Sequence, residues 1–427
     1  MDRFERYVDD VEAHFGPHSD HPAVGLARRL TGERGVSWDA PMGLAVHVTD
    51  PPALAARMPF DASISEASTL DPRWPPGNAR AFVELARAFA RDADFERFFR
   101  EHRALYDTAE ARMRALLGRH VDAAWFEAFF GARPDARFTV LIGLSNGGAS
   151  YAVRFAAPGR PEELYAVMGT WLTDDEGLPR YDESVTGTVV HEFAHAYVNP
   201  LVDALRPAGE ALLDAARGPM TRQGYGAGPI VVEESVVRAA VARYALAHGG
   251  PEAGRREVAA QGELGFVWAD DLYALLGAYD HARDRYPTFS AFFPTVGAYL
   301  RDLAPRAEHE VARYEARRPR LLSMAPANGA VGVDPGLSEM TFRFDRPMER
   351  VWALMLLGED GREHFPPTGE PSFDDSGTVL TVPVTLEPNR TYRLGLNFEG
   401  GGAFRSTEGV RLAPVPVEFS TGDADGP

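Results

Sequence analysis

Residues 191–195 read His-Glu-Phe-Ala-His and place two imidazoles and one carboxylate in a single short stretch. On a helix, His191 and His195 lie four residues apart and therefore on the same face. Their nitrogen donors could bind one Zn²⁺, and Glu192 could act as general base toward a water molecule activated by the metal. The spacing therefore predicts a zinc site with hydrolytic chemistry.

The residues around this motif favour a helix. Residues 181–184 include acids and N-cap candidates, and the Asn-Pro pair at 199–200 provides an end. Between them, apolar residues are spaced so that they form one surface beside the His pair. A largely buried helix with this motif is typical of zincin enzymes. The alternative is two ordinary histidines on an amphipathic helix.

Two His leave a catalytic zinc short of one protein ligand. Residues 196–201 contain no further His, which excludes the metzincin arrangement, whereas the gluzincin arrangement takes a Glu from a later helix. A helix predicted over 231–248 carries Glu233 and Glu234 near its start. Arg238 follows Glu234 by four residues, in the order that lets a cation orient a ligand carboxylate. We therefore predict Glu234 as the third ligand and keep Glu233 as the alternative.

Tyr225 lies on a Gly-rich stretch just before this helix. Its phenol could donate a hydrogen bond to the oxyanion that forms during hydrolysis, which would make it a catalytic residue. The alternative is a loop tyrosine that only packs.

Composition excludes several classes of function. The formal net charge of −18 argues against nucleic acid or an anionic membrane as partner. The chain has no Cys and no Lys, so disulfides, thiolate nucleophiles, Schiff-base chemistry and a P-loop lysine are excluded. The charged first residues predict no signal peptide, and no apolar run is long enough to predict a transmembrane span.

The element pattern predicts an α+β fold. Residues 1–130 are predicted to be mainly helical, and strands over 138–143 and 149–155 flank the Asn-Gly-Gly sequence at 146–148, which predicts a hairpin. Another strand is predicted near 163–172, ahead of the His-bearing helix, and more helices follow. This order is typical of a mainly helical, zincin-like domain with a small sheet.

The pattern changes near residue 319 to short alternating strands with turn signals, which predicts an all-β sandwich. We predict strands over 340–344, 379–384, 392–398 and 415–419. The predicted domains are residues 1–318, residues 319–422 and a polar tail at 423–427.

Several stretches together resemble a known family. Residues 191–200, Tyr225, the Glu-Ser-Val-Val-Arg-Ala sequence at 234–239 and residues 286–294 are similar to an uncharacterised bacterial domain-of-unknown-function family of predicted gluzincin metallopeptidases. The resemblance extends over about residues 5–315. It implies a zinc site formed by the two His and by Glu234, and it supplies no substrate.

The C-terminal region resembles a bacterial Ig-like domain of the surface-layer-protein type. Residues 325–333, 342–348 and 419–422, with Tyr392 in a late strand, carry this resemblance. It implies association with a cell surface and an extracellular or cell-envelope location. The missing signal peptide leaves a cytoplasmic location open.

These observations predict a zinc metallopeptidase that acts on a peptide or protein, with Zn²⁺ as cofactor and Glu192 as general base. The alternative is a surface or binding protein that uses its Ig-like domain and whose zinc is structural or whose activity is lost. A third interpretation applies the same chemistry to a non-peptide amide or ester.

Overall fold

The structure, a computed structural model, describes residues 4–60, 69–357, 367–398 and 402–423. The first three residues, on which the signal-peptide prediction partly depends, and residues 424–427 of the predicted polar tail lie outside this range.

Helices occupy the first part of the chain, as predicted. Asp122 illustrates how they begin, since its carboxylate accepts hydrogen bonds from the backbone N–H groups of Ala124 and Trp125 at the start of α7. The helices are α1 Glu5–Phe15, α2 Pro22–Arg34, α3 Asp39–Ala45, α4 Pro76–Asp92, α5 Phe95–Glu101, α6 Arg103–His120 and α7 Ala123–Phe130.

A three-stranded sheet follows, with β1 Ala136–Gly143, β2 Tyr151–Phe155 and β3 Glu162–Gly169 in the order β1-β3-β2. Strand β3 pairs with β1 in parallel and with β2 antiparallel, and five of its residues are buried. The predicted hairpin between β1 and β2 is therefore wrong, because the most buried strand takes the centre and separates them.

The turn at 146–148 crosses the end of β3 instead of joining two paired strands. A Cβ on Gly169 would lie only 2.3 Å from the carbonyl oxygen of Gly147 and 2.7 Å from that of Ala149. The close approach of these two backbone segments requires glycine at the end of β3.

Further helices follow the sheet. The predicted end of the Glu-bearing helix at residues 249–250 is a kink, where Gly250 takes φ 78° and a second helical stretch continues. The helices are α8 Ser184–Val198, α9 Arg206–Ala215, α10 Arg217–Arg222, α11 Gly228–Glu263, α12 Ala269–Asp280, α13 Phe289–Leu303 and α14 Ala307–Ala316.

The C-terminal strands form two antiparallel sheets, ordered β4-β5-β8-β7 and β10-β9-β6. Alternate residues of both sheets share one core, in which Phe342 and Leu380 of the first sheet and Leu394 and Phe419 of the second are buried. The strands are β4 Leu321–Ala325, β5 Glu339–Phe344, β6 Leu354–Leu356, β7 Ser372–Phe373, β8 Val379–Pro383, β9 Thr391–Leu396 and β10 Val415–Ser420.

The chain is a mixed α/β protein that divides into two compact units. The first comprises Met1–Leu213, Gly224–Val258 and Ala269–Ala304, and the second comprises Asp214–Gln223, Ala259–Trp268 and Pro305–Pro427. The domain boundary at residues 318 and 319 stays a prediction. Across the described ranges, no helix is both long and apolar enough to cross a membrane.

Candidate metal centre

Helix α8 presents the two motif histidines on one face. Asp182 accepts a 3.1 Å hydrogen bond from the backbone N–H of Ser184, the first residue of α8, and thereby stabilises its N-terminus. The apolar side of the helix packs on the sheet, where Phe193 meets Phe138 of β1 edge to face at 5.1 Å. The apolar surface predicted from the sequence therefore produces a buried helix with His191 and His195 one turn apart.

Helix α11 brings the third residue. Its start is fixed by a glycine contact with α9, because a Cβ on Gly228 would lie 2.3 Å from the backbone nitrogen of Glu210. The residues around Glu234 on this helix are buried, including Val231, Val232 and Ser235.

His191, His195 and Glu234, which we call the metal trio, place their ligand atoms within 4.8 Å of one another. The two Nε2 atoms are 3.1 Å apart. Glu234 Oε1 lies 3.3 Å from His195 Nε2, and Glu234 Oε2 lies 3.5 Å from His191 Nε2. A tetrahedral zinc with ligands at 2.0–2.1 Å separates neighbouring ligand atoms by about 3.3–3.4 Å. The donor set and its spacing therefore fit zinc. Within the described part of the chain, this is the one group of three or more such residues that does so.

The metal trio is held by further polar contacts. His195 Nδ1 lies 2.9 Å from the side-chain oxygen of Asn199, which accepts a hydrogen bond from Nδ1–H, so that Nε2 of the neutral imidazole is free to bind a metal ion. Arg238 donates to Glu234 Oε2 at 3.0 Å and to the Tyr225 hydroxyl at 2.9 Å. Burial and then the charge of Glu234 raise the pKa of the Tyr225 hydroxyl to about 12. Asn199 was missed in the sequence, although its position four residues after His195 is the spacing that could have revealed it.

Glu233 lies outside the metal trio. Burial raises its pKa to about 7, the charge of His195 lowers it, and the charges of Glu234 and Asp203 raise it further. Of the two glutamates considered from sequence, the geometry brings Glu234 to the imidazoles. The role of Tyr225 at an oxyanion stays a prediction, since its hydroxyl accepts a hydrogen bond from Arg238.

Burial and charge set the protonation of these groups. Burial alone would raise the pKa of Glu234, but His191 and His195 hold it well below its ordinary value. Burial would lower the pKa of His195, but the hydrogen bond and charge of Glu234 raise it to about 9. Burial raises the pKa of Glu192, with the histidine charges acting in the opposite direction.

Glu192 differs from the trio because its carboxylate is unpartnered. Its side chain is 8% exposed, and no group among the described residues donates a hydrogen bond to it. Together with His195 and Asn199, it lines a cavity of about 330 Å³ that is also bordered by residues 152–154 of edge strand β2. This is a geometry in which a carboxylate can exchange a proton with a bound molecule.

The fold and the metal trio define a mixed α/β protein with a candidate metal centre carried by two helices. The chain belongs to the family described as a domain of unknown function, DUF4932, whose sequence pattern matches residues 2–298. The prediction that the chain belongs to a family of unknown function is confirmed. No curated protein matches the chain.

Two solved structures are weakly similar. The surface layer protein SbsC, domains 1–6, is 14% identical, with 59% of this chain and 35% of that chain covered and a TM-score of 0.19. The S-layer protein rSbsC(31-844) is 14% identical, with 94% and 46% covered and a TM-score of 0.20. The chain spans less than half the length of each, and at these TM-scores the likeness carries no argument.

Proposed function

We propose that the chain is a zinc-dependent metallopeptidase of the gluzincin type. In this proposal His191, His195 and Glu234 bind zinc, Glu192 is the general base, residues 1–318 form the zincin-like domain, and residues 319–422 form an Ig-like domain with an extracellular or envelope location. The observation that carries it is the metal trio with an unpartnered, buried carboxylate on the residue after the first ligand, facing a cavity.

The protein's own groups would divide the chemistry as follows. Zinc, when bound, supplies a Lewis acid that polarises the scissile carbonyl and increases the acidity of water. Glu192 accepts the proton of the attacking water as the new C–O bond forms, and then donates it to the amine as the C–N bond breaks. Burial raises the pKa of this carboxyl, which helps it to hold the proton between the two steps.

The edge position of β2 favours a peptide over another amide or ester. Residues 152–154 of this strand line the cavity, and an edge strand leaves backbone N–H and C=O groups able to pair with an extended chain. An extended peptide would therefore be held across the cavity in front of Glu192.

The test compares the purified protein with Glu192→Gln, using exposed Glu127→Gln as the matched control. We expect close to one zinc per chain in all three by mass spectrometry of metals. Cleavage of a mixed peptide library should fall about 10²–10⁴-fold in Glu192→Gln only. A protein that refuses added zinc, or a Glu192→Gln variant that still cleaves, would overturn the proposal. Zinc with no cleavage by any form would favour the structural-zinc alternative.

A further inference from the structure

The cavity beside Glu192 has an excess of negative charge. The described residues that line it include four carboxylates, those of Asp39, Asp71, Glu192 and Asp203, and one guanidinium, that of Arg154. The rest of the lining is largely apolar and includes the residues Gly43, Ala152, Val153, Leu164, Phe193 and Pro200. The cavity thus combines apolar walls with several anionic groups.

Part of this charge is balanced by neighbouring residues. Arg73 lies 2.6 Å from Asp39 and 2.6 Å from Asp71, so one guanidinium serves two carboxylates. Arg154 lies 3.2 Å from Glu162 and is therefore engaged outside the cavity. The pairing still leaves a net negative lining.

Two of the lining carboxylates have no partner among the residues that the structure describes. Neither Asp203 nor Glu192 forms a hydrogen bond or ion pair with a described residue, and Glu192 is 8% exposed. Glu192 is buried and Asp203 is exposed, so only Glu192 bears the cost of a buried carboxylate without a donor, while Asp203 offers a free negative charge. A ligand that brings a donor or a positive charge would therefore be bound favourably. The formal net charge of −18 adds a field that draws cations toward the protein.

We propose that this cavity receives a positively charged side chain of the substrate, a lysine or arginine of the cleaved peptide, whose aliphatic stem lies against the apolar walls while its charged end meets Asp203. This inference rests on the proposed peptidase function. A cavity of about 330 Å³ has room for one long side chain but not for a folded segment.

The test uses cleavable peptides that differ at one position, which carries lysine, norleucine or glutamate. Norleucine keeps the stem and removes the charge, so the ratio of kcat/KM for lysine over norleucine isolates the charge. With the zinc-loaded protein we expect a ratio of about 10, which corresponds to one pair worth roughly 1.4 kcal/mol. Raising the salt concentration should lower the ratio, because exposed charges are screened.

Variants at Asp203 connect this ratio to the cavity. Asp203→Asn should lower it about threefold to tenfold, and Asp203→Arg should shift the preference toward the glutamate peptide. Exposed Asp284→Asn removes the same charge away from the cavity and should leave the ratio as it is. Zinc content is measured in every variant.

The outcomes separate the two proposals. Cleavage of lysine and norleucine peptides at equal rates would overturn the cationic subsite and leave the peptidase proposal standing. Absence of cleavage by any form would overturn the peptidase proposal. In that case the affinities of the lysine and norleucine peptides, measured by calorimetry, test the cationic subsite. Equal affinities would overturn it.

Discussion

Two groups of charged side chains in the first compact unit differ in how their hydrogen bonds are satisfied. In the arginine cluster, formed by Arg57, Glu163 and Tyr165, Arg57 donates to Glu163 at 2.6 Å, to the Tyr165 hydroxyl at 3.3 Å and to the carbonyl of Val46 at 2.8 Å. Tyr165 in turn donates to Glu163, and the guanidinium lies 3.9 Å from the ring centroid of Phe155. Donors and acceptors match, so nothing is left for a ligand to satisfy.

The metal trio has the opposite balance. Two imidazole Nε2 atoms and a carboxylate converge, and no described residue donates a hydrogen bond to Glu192 beside them. Arg238 donates to Glu234 and to the Tyr225 hydroxyl. Both groups are charged and largely removed from water, yet only the trio has acceptors in excess. The comparison teaches that an imbalance of donors, rather than charge or burial alone, marks the place where a cation is expected.

The largest effect is expected when a ligand is removed from the metal trio. Glu234→Ala should weaken zinc binding by more than the about 10–100-fold that removal of an outer-shell partner causes, because a ligand itself is lost. Glu233→Ala is the matched control on the same turn of α11 and should change zinc affinity only slightly. Competition with a chromogenic chelator measures both, and thermal unfolding checks that the variants are folded. A larger loss in Glu233→Ala would reverse the assignment.

The second prediction concerns the arginine cluster. Arg57→Met leaves Glu163 without its cation and should lower the free energy of unfolding by about 2–4 kcal/mol, somewhat less than for fully buried pairs because both side chains are 18% exposed. Zinc content should not change. Exposed Arg160→Met should alter stability by no more than about 0.5 kcal/mol.

A double variant then tests the reason for that loss. Arg57→Met combined with Glu163→Met removes both charges and should be more stable than Arg57→Met alone, because no uncompensated carboxylate is left. Urea unfolding compares the three variants. A double variant that is no more stable than the single one would mean that packing around Arg57, not its charge balance, stabilises this region.

The sequence predicted the parts of the site that depend on one helix turn. His191 with His195, and Glu234 with Arg238, are spaced by four residues, so their mutual position follows once the helices are assigned. Glu234 was favoured over Glu233 for the same reason, since only Glu234 has an arginine one turn later. These predictions needed no knowledge of how distant segments pack.

The predictions that required tertiary packing were less successful. A strand's neighbours depend on which strand is most buried, so the Asn-Gly-Gly turn pointed to a hairpin while β3 took the centre of the sheet. Asp39 and Asp71 line the cavity with Glu192 although more than a hundred residues of sequence separate them from it. No local pattern in the sequence could have linked these acids to the motif.

A smaller effect is expected at Tyr225, where the two possible roles give different results. If the phenol positions Glu234 through Arg238, which donates to both of them, Tyr225→Phe should weaken zinc binding by about 10-fold. If it stabilises an oxyanion instead, kcat should fall while zinc affinity stays the same. Zinc titration and cleavage kinetics on one preparation separate them, and an unchanged value in both measurements would assign Tyr225 to packing alone.

The smallest expected effect concerns His47, a fully buried imidazole that is satisfied on both nitrogens. Nδ1 lies 2.6 Å from the carbonyl of Gly43 and therefore donates, so Nε2, 3.1 Å from the Thr69 hydroxyl, accepts. Neutral imidazole therefore satisfies both contacts, and burial lowers the pKa of His47 below its ordinary value of 6.5.

The direction of the pH effect follows from this lowered pKa. As the pH falls below 6.5, the unfolded chain takes up the proton before the folded one, so the folded state loses stability with a slope of at most about 1.4 kcal/mol per pH unit. His47→Asn should be less stable than the parent at pH 7.5. Its free energy of unfolding should decline less steeply than the parent's as the pH falls below 6.5. Exposed His281→Asn should keep the parental slope. Urea unfolding of the three proteins at several pH values measures this, and identical slopes would show that the balanced hydrogen bonds of His47 tolerate its protonation.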